Sequence, residues 1–500
     1  MNKIKTYKTN SYSGKINVSS IYSKSLEWKI IVPTMVYHYL LEKIEKEPPF
    51  KHFKLEIALY FLSLLISIPA TKKDKIFFNG YIPLDSKILR KINSNYYKYF
   101  DYFLEIKVLQ KINYDNRKNS CNSYRYDYSE INSDSKECIE LEEIDMGNKL
   151  KEKLFYQQEK YLVAFNSCKH LIKWFNKDLF LDYDALISSF KDEFCYNKFK
   201  VGYNNYDKIQ SKALNYMYSA ITIKNGAFNI SRNKDADNRL HTNFTNMPSK
   251  FRKFIYYKNE NIISYDIKNS QPYFMIYVLE NINNKENIEI MKRIYNNTSI
   301  ILQKMNKILS IKGFQEEFIV LRQVILDGQF YELLMELFND IKADEDGKYR
   351  WTFFNFDKGR KETKEFLEKR DLIKRITLQI LYTPLSKPSK EYKIFKNKFP
   401  NLCECIEILK SDTPDKNSYK LFPKLLQHVE SDFVLDKITK QISNDYPEMP
   451  IFTIHDSFCT TESWFPYLKA GVDKYFNYYT NGMTPKLKEE SWLKSKNKVA

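Results

Sequence analysis

The spacing of apolar and polar residues changes period along the chain, and each change predicts an element. IALYFLSLLISIPA, at 57–70, is apolar almost without a break and ends at a proline, so it reads as a core helix, and 28–70 as a whole reads as helical. Next, YIPLDSKILRKI, SNYYKYFDYFLEIKVLQKINY and SYRYDY give two helical patterns and two short strands around the polar turn DNRKNSCN. That order suits a winged helix, whose recognition helix and wing touch duplex DNA, and suits equally a small helical domain with a β-hairpin. Residues 132–150 are acidic and polar and read as a surface linker, and 151 to about 215 reads as mostly helical. In NIISYDIKNSQPYFMIYVLE, at 261–280, Ile262, Ile263 and Ile267 predict a short strand carrying Asp266 at its end. A helix then starts with Ser270 as N-cap and Pro272 in the first turn. In KRDLIKRITLQILYTP, Arg370, Lys374, Leu378 and Tyr382 recur every four residues along one helical stripe, with Phe366, Ile373, Ile376 and Ile380 opposite as core. In IFTIHDSFCTT, at 451–461, Ile451, Phe452 and Ile454 read as a buried strand, which puts His455 and Asp456 on a strand end or hairpin turn.

Length and composition narrow the class. Five hundred residues, 43% hydrophobic and 16% aromatic, suit a globular protein of two to four domains or one elaborated domain. The net charge of +18 is spread along the chain and suits a polyanion such as nucleic acid, although a lysine-rich surface alone would give it too. The seven cysteines at 121, 138, 168, 195, 403, 405 and 459 contain no CxxC pair, so reduced thiols and a cytoplasmic location are expected. MNKIKTYKTNSYSGK has no apolar core of a secretion signal, and 57–70 is shorter than a bilayer span, so no membrane partner is expected. With 11 glycines and neither GxGxxG nor GxxxxGK[ST], phosphate handling falls to side chains or metal.

The chemistry starts from Asp266 and Asp456. Taken singly, each is more often a hydrogen-bonded turn residue than a ligand. Two acids on neighbouring strand ends, however, hold two Mg²⁺ ions about 3.5–4 Å apart, the arrangement that activates a 3′-hydroxyl and stabilises a departing pyrophosphate. From Arg370 to Tyr382 is about 18 Å of helix, enough to run beside a nucleoside triphosphate, with Arg and Lys on phosphates and the ring against base and sugar. A plain amphipathic helix accounts for the apolar face but leaves the ordered Arg, Lys, Tyr series between two strand-end acids unexplained.

At these residues the chain resembles the polymerase superfamily that contains the single-subunit, bacteriophage-type RNA polymerases and the family A DNA polymerases. Asp266 matches the first palm motif, and IHDSF matches the third in its RNA-polymerase spelling. Arg370, Lys374 and Tyr382 match the fingers helix, and His428 in LLQHVESD precedes Asp456 at the distance of a histidine in those RNA polymerases. DNRLHTNFTNMP, at 237–248, looks like the upstream segment whose arginine, here Arg239, touches the template–product hybrid. The resemblance covers about 230–480.

It implies an α+β, right-hand polymerase: a palm with an antiparallel sheet from 221–345 and 421–500 and helical fingers at 346–420; outside the resemblance, the pattern leaves a helical, thumb-like connector at 151–220 and a mainly helical N-terminal region at 1–150, read as DNA-binding on its winged-helix order. Asp266 and Asp456 are implied metal and catalytic residues, with Lys374 protonating pyrophosphate and His455 supporting the primer end. Arg370, Lys374, Leu378, Tyr382, Gln271 and His428 are implied around the nucleotide, and Arg239 and His241 against template and primer. The implied function is template-dependent nucleotidyl transfer with Mg²⁺, in replication or transcription. Its partners would be a DNA template, an RNA or DNA product strand and nucleoside triphosphates, and the chain is expected to act as a monomer. A DNA-directed RNA polymerase is favoured over a DNA polymerase of a phage, plasmid or mobile element. A non-catalytic replication initiator and a nuclease are the readings from other classes. Three departures stand out: Thr383 where glycine follows the fingers tyrosine, Pro384 after it, and Gln271 where the DNA polymerases carry glutamate and the RNA polymerases glycine.

Overall fold

The computed structural model describes residues 29–71, 80–113, 121–129, 141–155, 159–194, 203–355, 360–411 and 418–493. The basic N-terminal stretch, most of the polar turn at 115–122, the start of the acidic stretch, Cys138 and Cys195 lie outside them. Two hydrophobic cores form. The smaller draws on residues from Ile30 to Leu150 together with Leu214, and the larger runs from Ala164 to Trp492. Helix Tyr203–Lys224 joins them, giving Leu214 to the first core and Ala220 and Ile223 to the second.

In the smaller unit, helix Leu55–Thr71 buries Ala58, Phe61 and Leu62 and carries Pro69 inside its last turn instead of stopping there. Two expectations fail nearby. Lys29–Pro33 is a strand, as its β-branched Ile-Ile-Val run favours, and it pairs antiparallel with Leu141–Asp145 in the stretch read as linker. The acidic residues there are held by neighbours: Glu143 accepts from Asn225 and lies 3.6 Å from Lys224. Downstream come strand Ile82–Pro83, helices Ser86–Ile92 and Tyr96–Glu105, and strands Leu109–Ile112 and Ser123–Tyr126. Ser123–Tyr126 is the middle strand of the three, and Asp85 caps the first helix by accepting from Lys87 N at 2.8 Å.

The larger unit is mixed α+β. Its antiparallel sheet centres on Glu260–Ile267, flanked by Ser457–Thr461 on one side and Leu487–Ser491 on the other, with Phe452–Ile454 beyond Ser457–Thr461. Ile255–Tyr257 and Leu179–Leu181 extend it from the start of the central strand. Helix Ser270–Glu280 is apolar all round and buried from Pro272 to Leu279, as a helix with no polar face must be. It packs against helix Leu421–Ser431, which runs on through a π-helical stretch, Asp432–Ile438. Between these halves lie helices, a hairpin of Tyr349–Asn355 with the more exposed Arg360–Phe366, and helix Lys369–Tyr382. Phe366 therefore ends a strand instead of lying on the helix, while Ile373, Ile376 and Ile380 are core as expected. The hairpin departs from the all-helical insertion that was expected.

Candidate active site

Strand pairing brings the two acids together. Asp266 lies opposite Ser457 in the ladder, and the next residue, Ile267, donates its N–H to the carbonyl of Asp456 at 3.2 Å. Ile454 and Ser457 pair across a two-residue turn, so His455 and Asp456 form a hairpin tip, with His455 at φ 56°. A positive φ at the first turn position suits the right-handed twist of the strands but is a place glycine usually takes, so His455 is held in a costly conformation. Asp266 accepts from the Ser457 hydroxyl. Removal from water, then the nearby Glu430 carboxylate, raises the pKa of Asp456, and burial together with Glu490 raises that of Asp266.

The helix after Asp266 starts differently from expectation. Asn269 is the N-cap residue, at φ 55°, a left-handed conformation asparagine tolerates better than most residues, and it turns the chain sharply from strand into helix. Ser270 is thus the first helical residue, and its hydroxyl donates to Glu430 Oε2 at 2.7 Å. Gln271 Nε2 donates to the same oxygen at 2.8 Å, and its Oε1 accepts from the Tyr382 hydroxyl at 3.4 Å. Burial pushes the Tyr382 phenol up to about 12.

Arg239 reaches the site from the segment before the sheet, with Nε 2.8 Å and a second nitrogen 2.6 Å from Glu430 Oε1. His241 bonds Asp237 at 2.9 Å, and its ring meets that of His455 edge-on at 6.1 Å. Burial, then the charges of Arg239 and His241, push His455 down to about 4, so it is neutral at pH 7. His428 is buried, but its Nε2 donates to the Ala236 carbonyl at 2.8 Å, and no contact joins it to the Tyr382 hydroxyl among the described residues.

On helix Lys369–Tyr382, Arg370 pairs with Glu332 and lies 5.4 Å from the centre of the Tyr331 ring, while Lys374 bonds Asp371 at 2.9 Å. Leu378 is half-buried between them and Tyr382. The two cations are partly exposed, at 38% and 50% of their side chains, so an anion reaching them would have to displace a carboxylate partner from each. Tyr331 also feels Asp456 and Arg370, which puts it on the wall joining acids to helix.

The residue that sequence reasoning missed is Glu430. Its side chain is 1% exposed and it ties Arg239, Ser270 and Gln271 together. A signal existed: four residues from Leu426 and Val434 and three from Phe433, Glu430 occupies the apolar stripe of its helix. Tyr331 and Glu332, in a helix far from any motif, gave none.

Among the described residues no three His, Cys, Asp or Glu side chains are grouped as metal ligands. The donor set nonetheless suits a hard divalent cation: two oxygen-only side chains on adjacent strand ends, each disfavoured as an anion by burial and by a further carboxylate, as a cation would relieve.

No protein-family model and no curated protein matches the chain. Among solved structures, the POL domain of Pol1 from M. smegmatis, in complex with DNA primer-template and dNTP, is similar over 62% of this chain at 10% identity, with a TM-score of 0.36. The chain spans 56% of that structure's length, and the likeness is a loose one. Among the described residues no helix is long and apolar enough to cross a membrane.

Proposed function

We propose that the chain is a template-dependent nucleotidyltransferase, with 221–345 and 421–500 as palm and 346–420 as fingers. The observation that carries this reading is the meeting of three separate segments: Asp266 and Asp456 on paired strand ends, and Tyr382 at the end of the Arg370/Lys374 helix, touching Gln271 one turn after Asp266. A nuclease would need the acids and leave that helix unexplained.

Asp266 and Asp456 would hold two Mg²⁺ ions, which when bound supply the charge that activates a 3′-hydroxyl and offsets the departing pyrophosphate. Arg370 and Lys374 would release Glu332 and Asp371 to grip the triphosphate, with Lys374 placed to give pyrophosphate a proton. Tyr382 and Gln271 would flank the sugar. Arg239, His241 and the neutral His455 would meet the primer end and template.

The readings as DNA-directed RNA polymerase and as DNA polymerase part at Gln271. The HDSF spelling supports the first. The second is supported by the Gln271–Tyr382 contact. In the N-terminal half, two helices followed by two strands, with a third short strand pairing in the sheet, support a winged-helix module for duplex DNA.

The experiment is incubation of the whole protein with primed and unprimed DNA templates, Mg²⁺ and labelled NTPs or dNTPs in parallel. Mg²⁺-dependent, template-directed extension is expected; its absence on every template would refute the reading.

A further inference from the structure

We propose that helices Ser86–Ile92 and Asn148–Phe155 form one basic ridge that grips the phosphate backbone of duplex DNA without reading its sequence, while helix Tyr96–Glu105 stays out of the major groove. The inference rests on the DNA-binding reading of the N-terminal half and deepens it by naming the surface and the kind of readout.

Burial fixes which side of each helix faces out. Helix Ser86–Ile92 buries Leu89 and Ile92 in the smaller core and leaves Lys87, Ile88, Arg90 and Lys91 exposed. Helix Asn148–Phe155 packs against it, buries Leu150 in the same core and leaves Lys149 and Lys153 exposed. A hydrogen bond ties the two together: Lys153 Nζ donates to the Ile92 carbonyl at 2.7 Å, at the end of the turn that carries Arg90 and Lys91. Among the described residues no carboxylate pairs with Lys87, Arg90, Lys91 or Lys149, so phosphates reach them without displacing a partner.

The neighbouring helix has the opposite character. In a helix-turn-helix docking, the second helix lies in the major groove and the first crosses the backbone. Here the second helix, Tyr96–Glu105, turns Tyr99, Phe100, Tyr102 and Phe103 inward, and its exposed stripe at four-residue spacing is Tyr97, Asp101 and Glu105. Phosphates line the groove on both sides, so two carboxylates pushed into it would be repelled and stripped of water. Its aromatic core face leaves the helix no other side to present.

The chemistry of the ridge selects among polyanions. Of its exposed side chains only Ile88 is uncharged and none is aromatic, so it lacks the stacking platform that holds single strands. A helix lying on a membrane turns its apolar face outward, whereas Leu89, Ile92 and Leu150 face the core. Cations on two packed helices, with neither device, suit the backbone of a duplex.

The test is binding of the whole protein, by fluorescence anisotropy, to short labelled duplexes of unrelated sequence over a salt series. Affinities should agree among sequences within about threefold, as backbone contacts carry no sequence information. Arg90→Gln, Lys91→Gln and Lys149→Gln together remove three charges with a residue helices accept. Affinity for every duplex should fall at least tenfold, and the slope of log affinity against log salt by about 2.7, at about 0.9 per phosphate. Should that variant lose its circular dichroism signal, Lys149→Gln alone serves and must lower the slope by about 0.9. Asp101→Asn with Glu105→Gln should leave sequence preference as it was and cost no affinity. A slope unmoved by the charge removals, one duplex bound tenfold better than the rest, or affinity lost with the Asp101 and Glu105 variant overturns the ridge. So does binding to phosphatidylserine vesicles that the triple variant abolishes while its duplex affinity stays. Binding is read without nucleotide, so a wild-type protein that extends no primer removes the nucleotidyltransferase reading and leaves the ridge to stand or fall on these numbers.

Discussion

At the scale of single residues, the proposed chemistry depends on charge at two strand ends. Asp266→Asn and Asp456→Asn keep the shape and the hydrogen bonds, Ser457 to the first and Ile267 N to the main chain of the second, and remove the charge that would hold metal. Each should lower turnover by several orders of magnitude with an unchanged circular dichroism spectrum; substantial Mg²⁺-dependent incorporation by either variant contradicts the assignment. Relieving the mutual repulsion of buried carboxylates should also leave both variants at least as thermally stable as the parent, a result read from melting temperature. The strand-end positions of these acids were legible because an acid that closes a short apolar run has few other places to go. Ser270 was misjudged because a Ser-x-Pro start reads as a cap, whereas a buried carboxylate from another helix competes for its hydroxyl and Asn269 takes the turn. Partners far apart in sequence, such as Glu430 and Arg239, are set by packing that no local pattern records.

At the scale of elements, helix Lys369–Tyr382 ends on an unusual support. Lys410 is wholly buried, with Nζ 3.4 Å from the Ile380 carbonyl and 3.1 Å from that of Thr383, and lies 5.2 Å from the centre of the Tyr392 ring. It satisfies carbonyls that the helix end leaves unpaired, where Thr383, followed by Pro384, stands at the position of the glycine in the polymerases the chain resembles. Burial pushes its pKa down from 10.5 to about 7. The unfolded chain keeps its proton to higher pH, so between these values the unfolded state binds more protons and stability rises with pH. The melting temperature of the wild type relative to Lys410→Met should therefore climb from about pH 7 to about pH 9.5. A flat or falling difference would mean the lysine is hydrated. The apolar face of this helix was legible from its period, but the preceding hairpin was missed. Its second strand, Arg360–Phe366, is exposed and charged and lacks the half-buried alternation that marks a strand, whereas Tyr349–Asn355 does alternate from Tyr349 to Phe353, a signal the sequence reading passed over.

At the scale of the whole molecule, the proposed DNA affinity, placed in the N-terminal helices, would be separable from chemistry. Lys87, Arg90 and Lys91 lie exposed on helix Ser86–Ile92. Replacing all three by glutamate should flatten the fall of log affinity with log salt on duplex DNA by about 0.9 for each phosphate no longer neutralised, while extension of a pre-annealed primer continues. An unchanged slope would remove the N-terminal half from the DNA path. Individual helices and strands were legible from their periods and the mixed α+β class from the family resemblance, but the pairing of Lys29–Pro33 with Leu141–Asp145 was not, because it closes across more than a hundred residues. The measurement that tests the proposed nucleotidyl transfer most directly is primer extension by the whole wild-type protein beside Asp456→Asn, with and without Mg²⁺. Template-directed extension is predicted for the wild type only, and only with Mg²⁺. Equal extension by the variant, or none by the wild type, would contradict it.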